Sequence, residues 1–326
     1  MYNRLVREDV LSIEPYKPGL STSEVIDLYG LNKVIKMASN ENPLGTPKKS
    51  KDAIVKFLDN LHIYPLGDAR YLRRAISDKF NIDQDEIVFG NGSDDLIEII
   101  LLTFLRSGEH ALSISPSFSE YYLISKIVGS FCKKVRLSAS FEYDFDRIIQ
   151  HIEKNTKIIF LANPNNPTGT YFNESALITF LGRVDKDKII VLDEAYREFA
   201  EASDFPKSLD LLANFKNLII MRTFSKAYGL AGLRVGYGIT SKEIADLLNR
   251  VRQPFNVNSL AQVAAIAALD DKEHLEATYN NNIEGKYYLY SELNKLGYRY
   301  IKSEANFILI DVKDGKRVFE NLLKEG

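Results

Sequence analysis

A lysine and an arginine set among glycines are the residues of this chain best suited to chemistry. Lys226 and Arg234 lie in the run MRTFSKAYGLAGLRVGYG, residues 221 to 238, among Gly229, Gly232, Gly236 and Gly238. The apolar stretch 218–221 leads into Ser225 and Lys226. A lysine at a strand end can sit in an apolar pocket where its ammonium loses water, which lowers its pKa and frees the amine to attack a carbonyl. An arginine offers a planar fork of donors that suits a phosphate. Glycines let the backbone close on a bound ring. Taken alone, Lys226 reads as a surface lysine in a glycine-rich loop; its companions upstream reverse that reading.

Those companions also stand at strand ends. KIIFLANPNNPTGT (157–170) is a short β-branched strand that breaks into a turn rich in proline and asparagine. KIIVLDEAYREF (188–199) is a second strand of buried type, ending in Asp193, Glu194 and Tyr196. A pyridoxal phosphate (PLP) site needs a carboxylate at the pyridine nitrogen, so that the ring stays protonated and takes up electrons. It also needs hydrogen-bond donors at the phenolic oxygen, which a side-chain amide and a phenol supply. Asp193, Asn166 and Tyr196 suit those places, each following a strand where open α/β sheets hold their ligands. Singly, Asp193 would read as a helix N-cap. GNGSDD (90–95) follows the strand 86–89 and opens an apolar helix over 94–105, and the free amides and positive end of a helix suit a phosphate. It is not a dinucleotide fingerprint, because Asp95 stands where G-x-G-x-x-G requires its third glycine.

In this order, NPNNPTG, VLDEAY and TFSKAYGLAGLRVGYG resemble the fold-type-I PLP-dependent aminotransferases, and in detail the histidinol-phosphate aminotransferase family. ASNENPLG (38–45), YPLGDARYLRRAIS (64–77), IVFGNGSDDLIEII (87–100) and SPSFSEYY (115–122) extend the likeness over residues 12–326. The resemblance implies Lys226 as the Schiff-base lysine and proton shuttle, Asp193 at the pyridinium nitrogen, and Asn166 and Tyr196 at the phenolic oxygen. It implies Arg234 and Ser225 on the cofactor phosphate, helped by the backbone amides of Ser93 and Asp94. Phe118 would stack on the ring, with Tyr121 close enough in sequence to compete. Tyr64 would reach the phosphate of the neighbouring subunit's cofactor, which requires a homodimer, and Asn42 would lie near the substrate. The implied reaction exchanges histidinol phosphate and 2-oxoglutarate for imidazole acetol phosphate and glutamate, in histidine biosynthesis. Aromatic amino acid aminotransferases share nearly every motif, and threonine-phosphate decarboxylases share most of them. A catalytically silent PLP-binding protein is the alternative outside enzymes. Family members continue past NLLKEG (321–326) into a further strand and helix that carry arginines for the substrate, and no residue here takes those roles by motif.

Composition bounds these readings. The chain has 326 residues, 45% hydrophobic and 26% charged, ordinary for a soluble enzyme and long enough for two domains. A net charge of −2 without a basic arm gives nucleic acid no electrostatic hold. The single cysteine, Cys132, excludes an internal disulfide and suits a reducing cytoplasm. His62, His110, His151 and His274 lack metal-ligand spacing, so no metal is expected. No charged-then-apolar leader follows Met1, and the longest apolar stretch, 96–105, is broken by Glu98, so no membrane span is expected. Apolar strands near 87–89, 110–115, 131–137, 157–162, 188–192 and 217–221 alternate with helical patterns, the mark of βαβ units. The expected fold is α/β, PLP-dependent transferase fold type I: a mostly parallel sheet with helices on both faces, plus a smaller α/β domain. The divisions expected are an arm over 1–40 joining the small domain, a large cofactor-binding domain over 41–254, and a small C-terminal domain over 255–326.

Overall fold

The β-branched runs that carry the central sheet are apolar on both faces, which obliges them to lie between two layers of helices. A computed structural model describes residues 2–15 and 19–326 and shows that arrangement. The strands are β1 (Ile87–Gly90), β2 (His110–Ser115), β3 (Cys132–Arg136), β4 (Thr156–Ala162), β5 (Ile189–Asp193), β6 (Leu218–Thr223) and β7 (Gly236–Ile239). Their order in the sheet is β1-β7-β6-β5-β4-β2-β3. Only β7 runs against its neighbours, pairing antiparallel with both β1 and β6.

Side chains alternate between the two faces with the period of two that a strand imposes. Ile159, Leu161, Ile190, Leu192 and Ile220 join one apolar cluster, with Leu72, Ile76, Leu177 and Phe180 from the helices Arg70–Phe80 and Glu174–Arg183. Ile158, Phe160, Val191, Ile219 and Met221 join the other, with Leu96, Ile100 and Leu248 from the helices Ser93–Phe104 and Lys242–Val251. Asn173 caps Glu174–Arg183, its side-chain oxygen accepting from the Ala176 amide at 3.0 Å, and Ser241 caps Lys242–Val251.

The stretch 236–239, absent from the strands expected from the sequence, is β7. Its glycines are unfavourable in strands by propensity, which hid it. Packing explains them: a Cβ on Gly238 would stand 2.9 Å from the Val88 side chain, and one on Gly236 3.1 Å from the Gly92 carbonyl carbon. Close approach, rather than conformational freedom, selects glycine here.

Beyond β7 the helix Ser259–Leu269 buries Ala261, Ala264 and Ala265 in the same cluster as Leu72 and packs on the helices Lys48–Phe57 and Arg70–Phe80. The division expected near Pro254 lies in the connection between the helices Lys242–Val251 and Ser259–Leu269, and the packing of the second helix suggests another place for it. We propose that the division falls at Asp270–Asp271, ahead of the long helix Lys272–Lys295. After it come the antiparallel pair β8 (Arg299–Ile301) and β9 (Leu309–Asp311) and the helix Gly315–Glu325. The arm's helix Thr22–Tyr29 packs on Gly315–Glu325, and the Ile35 amide donates to the Gly326 carbonyl at 3.0 Å.

Behind the ends of β5 and β6, Glu194 and Arg222 form a fully buried pair. Arg222 Nε and Nη2 lie 3.0 and 2.9 Å from Glu194 Oε2. Glu194→Ala leaves the guanidinium buried without its carboxylate. Urea unfolding is expected to show a loss of about 3–5 kcal/mol, with a smaller loss for Glu194→Gln.

Candidate active site

Asp193 ends β5 with its carboxylate buried at the carboxyl edge of the sheet. Its Oδ2 accepts from the Tyr121 hydroxyl at 2.6 Å and its Oδ1 from the Ala195 amide at 3.1 Å. Burial pushes its pKa up to about 6, against which these two bonds pull down. Tyr121 is itself immobilised, stacked on Phe160 at 4.6 Å and 8°. Burial beside Asp193 holds the Tyr121 phenol well above its usual range, so it acts as a donor.

The cavity above Asp193 has a volume of about 290 Å³ and opens where β4, β5 and β6 end. The turn after β4 supplies Asn166, whose Nδ2 donates to the Tyr196 hydroxyl at 3.3 Å. Lys226, after β6, reaches across the cavity, its Nζ donating to the Ser39 carbonyl at 3.0 Å and standing 5.5 Å from the Tyr196 ring centre. Desolvation lowers the Lys226 pKa; Glu41, Asp94 and Asp193 oppose that shift and Arg234 adds to it.

The opposite end is built for an anion. Gly92 begins the helix Ser93–Phe104 without a side-chain cap, so first-turn amides are free to bind an incoming oxygen. Arg234 crosses above them, its Nη2 3.1 Å from Asp94 Oδ2. A Cβ on Gly92 would stand 2.4 Å from Arg234 Nη2. Gly92 has φ +85°, so both space and backbone conformation select glycine at this point.

The structure brings Lys226, Asp193, Asn166, Tyr196, Ser225, Arg234, Ser93, Asp94 and Phe118 to this one cavity. Phe118 and Tyr121 both line it, and their difference is now plain. Tyr121 is committed to Asp193 and Phe160, while Phe118 meets Tyr121 edge-on at 5.6 Å and stays partly exposed. Asn42, expected near the substrate, does not line it, and Tyr64, expected at the neighbouring subunit's cofactor, faces outward. Tyr64 is 80% exposed and stacks on Phe255 at 5.1 Å. Asn42 is instead a buried pin: its Nδ2 donates to the Ala227 carbonyl and the Thr278 hydroxyl, each at 2.9 Å, and its Oδ1 accepts from the Leu44 amide. Ser39 and Asn40 line the cavity in its place, as does Thr223. The motif ASNENPLG flagged this segment, but which asparagine faces inward depends on positive φ at Ser39 and Asn40, +67° and +51°, which residue types do not disclose.

The family model for aminotransferases of class I and II matches residues 32–326. The chain belongs to that family. Among relatives of this aminotransferase, the histidinol-phosphate aminotransferase of Caldicellulosiruptor saccharolyticus is 42% identical over 323 residues, 99% of this chain and 90% of that protein. The protein of that name from Moorella thermoacetica is 44% identical over 322 residues, 98% of this chain and 83% of its own length. Of solved structures, the histidinol-phosphate aminotransferase of Clostridium acetobutylicum superimposes with a TM-score of 0.80 at 32% identity, covering 90% of this chain and 87% of that one. The Sinorhizobium meliloti enzyme in complex with pyridoxal-5′-phosphate gives 0.90 at 22% identity, covering 98% and 87%. Among the described residues of the aminotransferase, no helix is long and apolar enough to cross a membrane, and no cluster of acidic, histidine or cysteine side chains could hold a metal ion.

PLP fits the residues present: an uncapped helix start with an arginine for its phosphate, a buried carboxylate for its ring nitrogen, paired amide and phenol for its ring oxygen, and a desolvated lysine. In the cofactor-free protein Asp193 has no such counter-charge. Its carboxyl titrates near 6 in the fold against an ordinary 3.8, so the fold holds a proton that the unfolded chain releases between those values. Stability therefore falls as pH rises from about 4 to 6, by ~3 kcal/mol in full. Asp193→Asn should make the cofactor-free protein more stable than wild type at pH 7.5, the gain vanishing below pH 4. Chemical unfolding at the two pH values checks this.

Proposed function

We propose that this aminotransferase uses PLP to move the amino group of histidinol phosphate to 2-oxoglutarate, giving imidazole acetol phosphate and glutamate in histidine biosynthesis. The observation that carries the reading is the convergence of Lys226, Asp193, Tyr196 and Arg234 on one cavity, in a chain more than 40% identical to proteins of that name.

Arg234, Ser225 and the amides of Ser93 and Asp94 would hold the cofactor phosphate. Asp193 would face the ring nitrogen, Tyr196 and Asn166 the ring oxygen, and Phe118 one face of the ring. When bound, PLP supplies a ring that takes up the electron pair left by a departing proton. Lys226 is the base: its amine, whose charged form burial disfavours, takes the α-proton of the amino donor at Nζ and returns it on the cofactor side. Asp193 keeps its negative charge once a cationic N–H faces it, because an opposing charge offsets the burial that holds its carboxyl up. Asn166 and Tyr196 donate to the oxygen on which negative charge gathers.

The active unit is a cytoplasmic homodimer in this reading. Leu61, Ile63, Tyr64 and Tyr71 are exposed along one stretch of chain, where a second copy would bury them and bring Tyr64 to a neighbouring cofactor phosphate.

Lys226→Ala is expected to abolish the visible band of the PLP-loaded protein and its trapping by borohydride; a surviving band removes Lys226 from the role. Histidinol phosphate without an oxo acid should convert the wild-type band to that of the aminated cofactor. Release of CO2 would instead mark a decarboxylase. Asp193→Asn should retain PLP and lose at least ~100-fold in kcat, read in a coupled glutamate assay. Tyr64→Phe should raise the Kd for PLP in the dimer, and a fully active monomer would exclude Tyr64 from the site.

A further inference from the structure

The phenol of Tyr196 has two hydrogen-bond partners at the cavity, and one of them is unassigned. Its oxygen accepts from Asn166 Nδ2 at 3.3 Å and from Asn40 Nδ2 at 3.2 Å. A tyrosine hydroxyl has two acceptor positions and one proton to give. With both acceptor positions filled by amide hydrogens, the proton is left the remaining direction. The ring itself cannot turn freely, since it is buried and Phe307 meets it edge-on at 5.1 Å and 86°.

We propose that Asn40 is a positioning residue for this reaction: by occupying one acceptor position of the Tyr196 hydroxyl it aims the phenol proton into the cavity, at the oxygen where negative charge gathers. The inference rests on the PLP reading given above and deepens it by one residue.

The rest of the segment is arranged to hold Asn40 there. Ser39 and Asn40 take left-handed backbone in succession, φ +67° and +51°, a conformation that side-chained residues enter at a cost. Asn306 Nδ2 donates to the Asn40 carbonyl at 3.0 Å, from the residue next to Phe307. The C-terminal segment thus grips both the asparagine that aims the proton and the ring that carries it. The charged and titratable groups that line the cavity with this phenol are Asp193 from β5, Lys226 and Arg234 from the β6–β7 connection, and Asp94 from the helix Ser93–Phe104.

The test is the pH midpoint of the visible band of the PLP-loaded protein, read by absorbance in wild type, Asn40→Gly, Tyr196→Phe and the double variant. Glycine is chosen because it takes φ +51° without strain, so the side chain is removed and the backbone is kept. A donated proton stabilises the cofactor oxygen's negative charge and weakens the hold on the proton beside it; losing its aim raises the midpoint. We expect Asn40→Gly to raise it by about half a unit, ~3-fold in proton affinity. Tyr196→Phe should raise it further, and the double variant should match Tyr196→Phe. The Kd for PLP should change less than ~3-fold in Asn40→Gly, with the loss of rate in kcat and not in KM. An unmoved midpoint in Asn40→Gly overturns the inference. So does a shift that recurs in full on the Tyr196→Phe background, because Asn40 would then act by another route. A wild-type protein that forms no visible band with PLP overturns the cofactor reading and this inference together. A normal wild-type band with an unmoved Asn40→Gly midpoint overturns the inference alone.

Discussion

A negative charge held out of water at the end of β5 is the constraint on which the rest of the site depends. Desolvation raises the pKa of Asp193 and so favours its neutral form, and the fold works against it with fixed donors. Tyr121 can donate only because Phe160 and its own helix fix its ring, and Phe160 is fixed because β4 lies beside β5 in register, Phe160 opposite Val191. A single carboxylate therefore imposes order on two strands, a helix and a turn. Glu194, the next residue, carries a second buried charge to the other side of the strand end and ties it to β6 through Arg222. Two neighbouring buried carboxylates are costly, and each is tolerated because its partner is rigid.

The parts of this arrangement that could be read in the sequence share a property. Asn166, Asp193 and Lys226 each follow a run of apolar, mostly β-branched residues, so strand end and chemistry coincide on the page. Phe118 and Tyr121 could not be separated by type, since both are aromatic within one motif; only the stacking on Phe160 and the distance to Asp193 divide them. Asn42 and Asn40 fail the same way: two asparagines in one segment are distinguished by left-handed backbone at Ser39 and Asn40, which those residue types permit but do not demand. β7 was hidden because its glycines serve close packing, a need set by Val88 and Gly92 on a strand and helix start distant in sequence. The division after the large sheet was placed at Pro254 on the change of pattern there; the alanines of Ser259–Leu269 gave no hint of which layer they would join.

Electrostatics and sterics divide the cavity into two halves with different demands. The ring half needs groups whose protonation is tuned, and burial does that for Asp193, Tyr121 and Lys226 in opposite senses: acids are pushed up and the amine down. The phosphate half needs only space and donors. Its Arg234–Asp94 pair is partly exposed, 42% and 49%. Such a pair is weak, so an incoming phosphate takes the arginine at little cost.

The reversed strand has a consequence for how the protein becomes competent. Arg234 meets Gly92 because β7 returns between β1 and β6, pairing Ile87 with Ile239 and Gly90 with Gly236. That pairing closes a loop of most of the large sheet's sequence, and loop entropy makes such closures late events in folding. The sheet from β2 to β6 can assemble through parallel neighbours before it. Until that pairing is made Arg234 has no place over the start of the helix Ser93–Phe104, so the full set of phosphate donors depends on closure of the sheet.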